Sequence, residues 1–225
     1  MKGFLVVGLL TAAVIPAGAA GSISHKIPPG TRAALQEGLD FLEAIKGGPV
    51  PESALHRRFF GGPVSGGTYV AFVDRGLKEY IEFDDPRPGE IAAVYWGSGK
   101  VSITSSFEKL ELVKRAAVLI HEAYHGQEDD MEHVRCPKHF VDDEGRPIVS
   151  DATGEPIAEK YACDEDADKA YAHGYVFLMN LAMNCSNCSE EVRSRALYWA
   201  KRSYHRVINE DARRFLKQDS ADEGR

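Results

Sequence analysis

Between Ala117 and Gly126 the chain reads Ala-Val-Leu-Ile-His-Glu-Ala-Tyr-His-Gly, an apolar run that closes on His-Glu-x-x-His. In a helix, residues four apart lie above one another on one face, so His121 and His125 can turn two imidazoles toward a single ion. Glu122 sits one step round, where its carboxylate can serve as a base beside the ion without binding it. Burying a Glu-His pair on an apolar stretch is costly without a purpose. The pattern is that of a metal-dependent hydrolase, with zinc as the expected ion. Ser105 followed by Glu108 predicts a capping box at the start of this helix. Val113, Ala116, Ala117, Ile120 and Tyr124 give it a buried face, and Gly126 is a natural stop.

The flanking sequence sets the context. Met1 to Ala19 combines one charge, an apolar run from Phe4 to Ile15 and the small residues Ala17-Gly18-Ala19-Ala20, which reads as a secretory leader. No later segment has the length and apolarity of a membrane span. The expected location is therefore periplasmic or extracellular. The formal net charge is -7, and loss of Lys2 with the leader makes it -8. That balance argues against nucleic acid or an anionic membrane as the main partner. Four cysteines in an exported chain predict two disulfides, with three possible pairings. A Cys136–Cys163 bridge would tie the loop after the motif helix to the segment around Asp164, and Cys185 and Cys188 can close on each other. A redox role for the Cys-x-x-Cys would need a thioredoxin-like context that the sequence lacks.

Leu35, Leu39, Leu42 and Ile45 predict a helix over residues 31–46, capped by Thr31 and ended by Gly47-Gly48-Pro49. Ala54 to Phe60 reads as a short helix or turn. Strands are predicted at Thr68–Val73, Tyr80–Phe83, Ile91–Trp96 and Lys100–Thr104, the last two joined by a tight turn at Ser98-Gly99. The Val101–Thr104 arm leads into the motif helix and is the expected rim of a cleft, where an exposed edge could pair with an extended peptide. Residues 127–147 read as a charged loop. Residues 162–174 read as a helix of small residues, with Asp164 and Asp168 on one side. From Asn187, capping with Glu190, one long apolar stripe runs through Ala196, Ala200, Tyr204 and Ile208 to Phe215.

A helix ending in His121-Glu122-x-x-His125, followed at a distance by Asp164-Glu165-Asp166-Ala167-Asp168, resembles the gluzincin branch of the zinc metallopeptidases. In that family a ligand Glu is followed four residues later by an Asp. The resemblance implies Asp164 as third metal ligand and Asp168 as the carboxylate that orients a ligand histidine. Asp164 departs from the family's Glu by one methylene. In the aspartate-ligand zincins a Tyr follows the ligand Asp after three residues, a spacing that Asp168 and Tyr171 share. Asp168, Glu165 and His133 therefore remain rivals for the third position. His133 lies eight residues after His125, which is not the metzincin spacing.

The expected fold is α+β and zincin-like: a short, mostly antiparallel sheet with the active-site helix, then a largely helical C-terminal half. One domain over residues 20–218 would follow the leader, and 219–225 would be a frayed tail. The implied activity is hydrolysis of peptide bonds in a peptide or protein substrate, with Zn2+ as cofactor and Glu122 as general base. Tyr171 and His173 are candidates for stabilising the oxyanion. The competing expectation is a disulfide-stabilised exported binding module without turnover, which retains or has lost the metal site. The sequence leaves the substrate and the oligomeric state open.

Overall fold

A computed structural model describes residues 21–47, 54–62, 65–82, 91–95, 98–128 and 133–222. The leader, Phe83, Trp96 and the charges Asp129, Asp130 and Glu132 lie outside them. The described residues form a mixed α+β structure with a small sheet and seven α-helices, one of which is buried among the others. In chain order the elements are β1 (Ser22–Ile23), α1 (Pro29–Ala44), α2 (Ala54–Phe60), α3 (Gly66–Gly76), β2 (Glu79–Glu82), β3 (Ala92–Tyr95), β4 (Lys100–Ile103) and α4 (Leu112–His125). Then come β5 (Val134–Arg135), β6 (Tyr161–Cys163), α5 (Ala170–Asn184), α6 (Glu190–His205) and α7 (Glu210–Asp222).

The motif helix α4 is the central element: it packs against α1, α3, α5, α6 and β3. Ala116, Leu119, Ile120 and Ala123 are fully buried, so its register is fixed by packing on several sides. Its start differs from the capping-box expectation. A 3₁₀ turn over Phe107–Lys109 intervenes and the helix begins at Leu112, after Glu111. Glu108 is diverted to accept a hydrogen bond from Thr31 Oγ1 at 3.2 Å, so Thr31 joins two elements rather than capping α1, which opens on Pro29. Gly126 ends α4 as expected. A glycine is required there because a Cβ would meet the Gly76 carbonyl at 2.1 Å, and a Cβ on Gly76 would meet that of Ala123 at 2.1 Å. α3 and the end of α4 therefore touch backbone to backbone.

Thr68–Val73 is helix, not strand. Its β-branched and aromatic residues are outweighed by a Ser65 cap on Thr68 N and by Tyr69, Phe72, Val73 and Gly76 facing inward at helical spacing. The sheet is also less antiparallel than expected. Its order is β1-β2-β4-β3, with β1–β2 and β2–β4 parallel and only β3–β4 antiparallel. With α1–α3 lying between β1 and β2, the chain returns to the sheet in the same direction. β4, the expected rim, is interior; the edge is its hairpin partner β3.

Residues 134–163 build a second small core of Cys136, Phe140, Ile148, Ile157 and Cys163, around the β5–β6 ribbon. Both expected disulfides are present, Cys136–Cys163 and Cys185–Cys188. The expected helix over 162–174 begins only at Ala170, because Tyr161–Cys163 pairs as β6 and Asp164 bridges to Val207. The C-terminal stripe is likewise two helices. Asp164 N donates to Arg206 O and accepts at its own carbonyl from Ile208 N, both at 2.8 Å, which breaks the helix between α6 and α7. Ser189, not Asn187, caps α6. Asn187 instead accepts from Lys46 N and donates to Ala44 O, closing the end of α1.

Candidate metal centre

His121 and His125 project from one face of α4, and His133 approaches from the start of the 134–163 excursion. Their Nε2 atoms form a near-equilateral triangle: 3.2 Å between His121 and His125, 3.2 Å between His121 and His133, and 3.3 Å between His125 and His133. Among the described residues these three form a group able to hold a metal ion. The spacing is a direct test of fit. A tetrahedral ion with metal–nitrogen bonds of about 2.0–2.1 Å sets its ligand nitrogens about 3.3 Å apart. Mutual hydrogen bonds account for at most two of the three sides, since each neutral imidazole carries one N–H, and that of His133 faces the opposite way. His133 Nδ1 donates to Asp164 Oδ1 at 2.7 Å, which leaves its Nε2 lone pair facing the other two rings.

This histidine group differs from the expected ligand set, in which Asp164 is third. Asp164 is 3% exposed and stands behind His133; its second oxygen accepts from Tyr171 N at 2.8 Å. Both oxygens are engaged away from the triangle, and the backbone bonds of Asp164 to Arg206 and Ile208 fix the carboxylate in that position. Asp164 thus stands behind a histidine, as the resemblance implies for Asp168, and His133 stands beside His121 and His125 where Asp164 is expected. Asp168 and Glu165 are exposed on the link before α5. The sequence signal for His133 is slight, a lone histidine in a charged loop at an unfamiliar spacing.

Burial, and then the closeness of the His125 and His133 imidazoles, which disfavours a further positive charge among the three, hold the His121 imidazole well below its ordinary pKa, so it is neutral and able to bind a cation. Tyr171 packs its ring on His121 at 4.6 Å and His133 at 5.1 Å. Its hydroxyl accepts from Arg206 Nη1 at 2.5 Å, and burial pushes its pKa up to about 12. His173 lies elsewhere, stacked on Phe72 and packed against Phe59 and Tyr124.

The three histidines and Glu122 open into a cavity of about 660 Å³. Ala92 and Ala93 of the edge strand form part of its wall. Deeper in, the wall carries Lys114, Asp151 and Arg206, which the sequence reading does not single out. Lys114 Nζ is 2.6 Å from Asp151 Oδ2, and Arg202 reaches Asp151 Oδ1 at 2.8 Å. Burial alone would raise the Asp151 carboxyl, but the Lys114 and Arg206 charges more than reverse this and hold it below the ordinary carboxylate range. Lys114 is legible in principle: with Val118, His121 and His125 it follows helical spacing along one face.

Comparisons of the chain with protein-family models, with curated proteins and with solved structures gave no match.

Proposed function

We propose that this chain is an exported zinc-dependent peptidase whose metal is held by His121, His125 and His133. The observation that carries the reading is the Nε2 triangle of 3.2–3.3 Å beside the carboxylate of Glu122, at the mouth of a cavity large enough for peptide side chains. Three imidazoles around one open position suit a catalytic zinc site better than a closed structural one. Bound there, zinc supplies Lewis acidity toward a water and toward a substrate carbonyl.

The chain's own residues supply the rest. Glu122, 7% exposed and adjacent to His121, accepts the proton of the attacking water and returns it to the leaving amine. Asp164 keeps the His133 proton on Nδ1 and its lone pair on Nε2. β3 offers the outer edge of the sheet, where main-chain hydrogen bonds can hold an extended substrate across the site. Tyr171 keeps its O–H proton at neutral pH while Arg206 occupies the oxygen, so that hydrogen is available to an oxyanion. The two disulfides support the exported setting, as does the lack of a described helix long and apolar enough to cross a membrane.

A cleavage screen against a broad peptide library tests the proposal, with zinc-loaded wild type, chelated protein and Glu122→Gln side by side. Cleavage that requires both zinc and Glu122 is expected. Stoichiometric zinc without cleavage of any peptide would instead favour a binding module that keeps the metal.

A further inference from the structure

Lys114 precedes His121 by seven residues, so it lies on the same face of α4 about 10 Å toward the helix start. There it meets Asp151, Arg202 and Arg206: Lys114 at 2.6 Å and Arg206 at 3.5 Å from Oδ2, Arg202 at 2.8 Å from Oδ1. The side chains of Lys114, Arg206 and Asp151 are 9%, 9% and 5% exposed. Three cations thus surround one carboxylate; Arg202, 25% exposed, shares its charge with solvent, so the buried groups Lys114, Arg206 and Asp151 leave one positive charge in excess.

The other charges in the wall do not offset it. Lys160 is matched by Glu155 at 3.4 Å. Asp164 is committed to His133, although its charge also reaches Arg206; with zinc held by the three imidazoles, Asp164 and Glu122 would balance that ion instead. An uncompensated buried charge is unfavourable, so the excess calls for an anion. The cluster is built to hold one. Lys114 carries three N–H donors, of which Asp151 takes one, and its ammonium lies 4.8 Å over the Trp199 ring. Arg206 is held by Tyr171 OH and, at 3.3 Å, by the Val149 carbonyl; it lines the cavity and adjoins the histidines through the Tyr171 ring.

We propose that Lys114 and Arg206 form a carboxylate-binding subsite of this cavity, which takes a carboxylate of the peptide whose reacting bond lies at the histidines. The charge excess rests on the metal site being filled, and the position of the reacting bond rests on the peptidase reading. An extended peptide advances about 3.3 Å per residue, so the carboxylate belongs about three residues from that bond. It comes either from a C-terminus or from an Asp or Glu side chain, which share the same chemistry.

The test is calorimetric titration of zinc-loaded Glu122→Gln protein with matched peptides: free acid against C-terminal amide, and Glu against Gln at each internal position. One carboxylate form is expected to bind about tenfold to a hundredfold tighter than its neutral partner, the range that charge-assisted hydrogen bonds carry. Preference for the free acid identifies a C-terminus, and preference for an internal Glu identifies a side chain. Lys114→Met should abolish the preference and Lys114→Arg should keep it. If Lys114→Met does not fold, the acid-against-neutral comparison in the parent protein still decides. Equal binding of every acid and neutral pair overturns the subsite, even if the Glu122-intact enzyme cleaves peptides. Retained acid preference with no cleavage of any peptide sinks the peptidase reading and leaves the subsite standing.

Discussion

α4 and the 133–164 excursion hold the same cluster of histidines by different physics. α4 is a helix buried against five other elements, and two imidazoles one turn apart follow from its register alone. The excursion has a core of five buried side chains, two of which are the cysteines of a disulfide. It supplies His133, Asp151 and Asp164 through loop geometry, pinned by that disulfide and by backbone pairing of Asp164 with the α6–α7 link. Half of the site is therefore a consequence of helix packing, and half of a covalent staple. The two halves should fail under different insults.

The largest effect is expected from a change that leaves both halves in place. Glu122→Gln should lower kcat by about a hundredfold to ten-thousandfold by removing the proton acceptor, with zinc stoichiometry unchanged. Steady-state kinetics beside metal analysis check this; loss of zinc in this variant would mean that Glu122 is a ligand.

Opening the staple separates the halves. Removing Cys136–Cys163, with its sequence separation of 27, should cost about 3–4 kcal/mol of stability and weaken zinc binding, while far-ultraviolet circular dichroism stays helical. Removing Cys185–Cys188, a separation of 3, should cost about 2 kcal/mol and leave zinc affinity unchanged. Equal effects on zinc would erase the contrast between the regions.

Acid should attack the helical half first. Burial lowers His56 and His173 to about 4 from an ordinary 6.5, so the unfolded chain takes up protons that the folded chain refuses between those values. Stability in the metal-free protein should therefore fall as pH drops from about 6.5 to about 4, by on the order of 2–3 kcal/mol for each histidine. Asp151, held below the ordinary carboxylate range, keeps its contribution above that range and loses it only at still lower pH. Urea midpoints across pH check the order, and His173→Phe should flatten the first limb. The smallest effect is expected at Asp168→Ala, an exposed position whose removal should leave zinc affinity and activity unchanged.

The helical half is readable in the sequence because its signals are periodic. Leu35, Leu39 and Leu42 of α1 and the His121–His125 pair need only a repeat of 3.6 residues to be placed on a face. Thr68–Val73 misleads because alternating β-formers can also fill a short helix once Ser65 caps it and two backbones close around its glycines. The excursion is harder to read for another reason. Whether His133 or Asp164 joins His121 and His125 depends on the path of a chain folded around Cys136–Cys163, and no local period records that path. The cysteine pairing is legible. The exchange of places by which His133 faces His121 and His125 and Asp164 stands behind it is not, because an acidic residue at a familiar spacing is equally suited to either place.

The most direct measurement of the central claim is zinc affinity and stoichiometry for His133→Ala beside Asp164→Ala, with each variant shown to be folded. The account predicts that His133→Ala loses stoichiometric zinc, whereas Asp164→Ala retains one zinc per chain with affinity about tenfold to a hundredfold weaker, the loss typical of a carboxylate that orients a ligand. Full zinc binding by His133→Ala together with its loss in Asp164→Ala would contradict it and return the third ligand position to the aspartate.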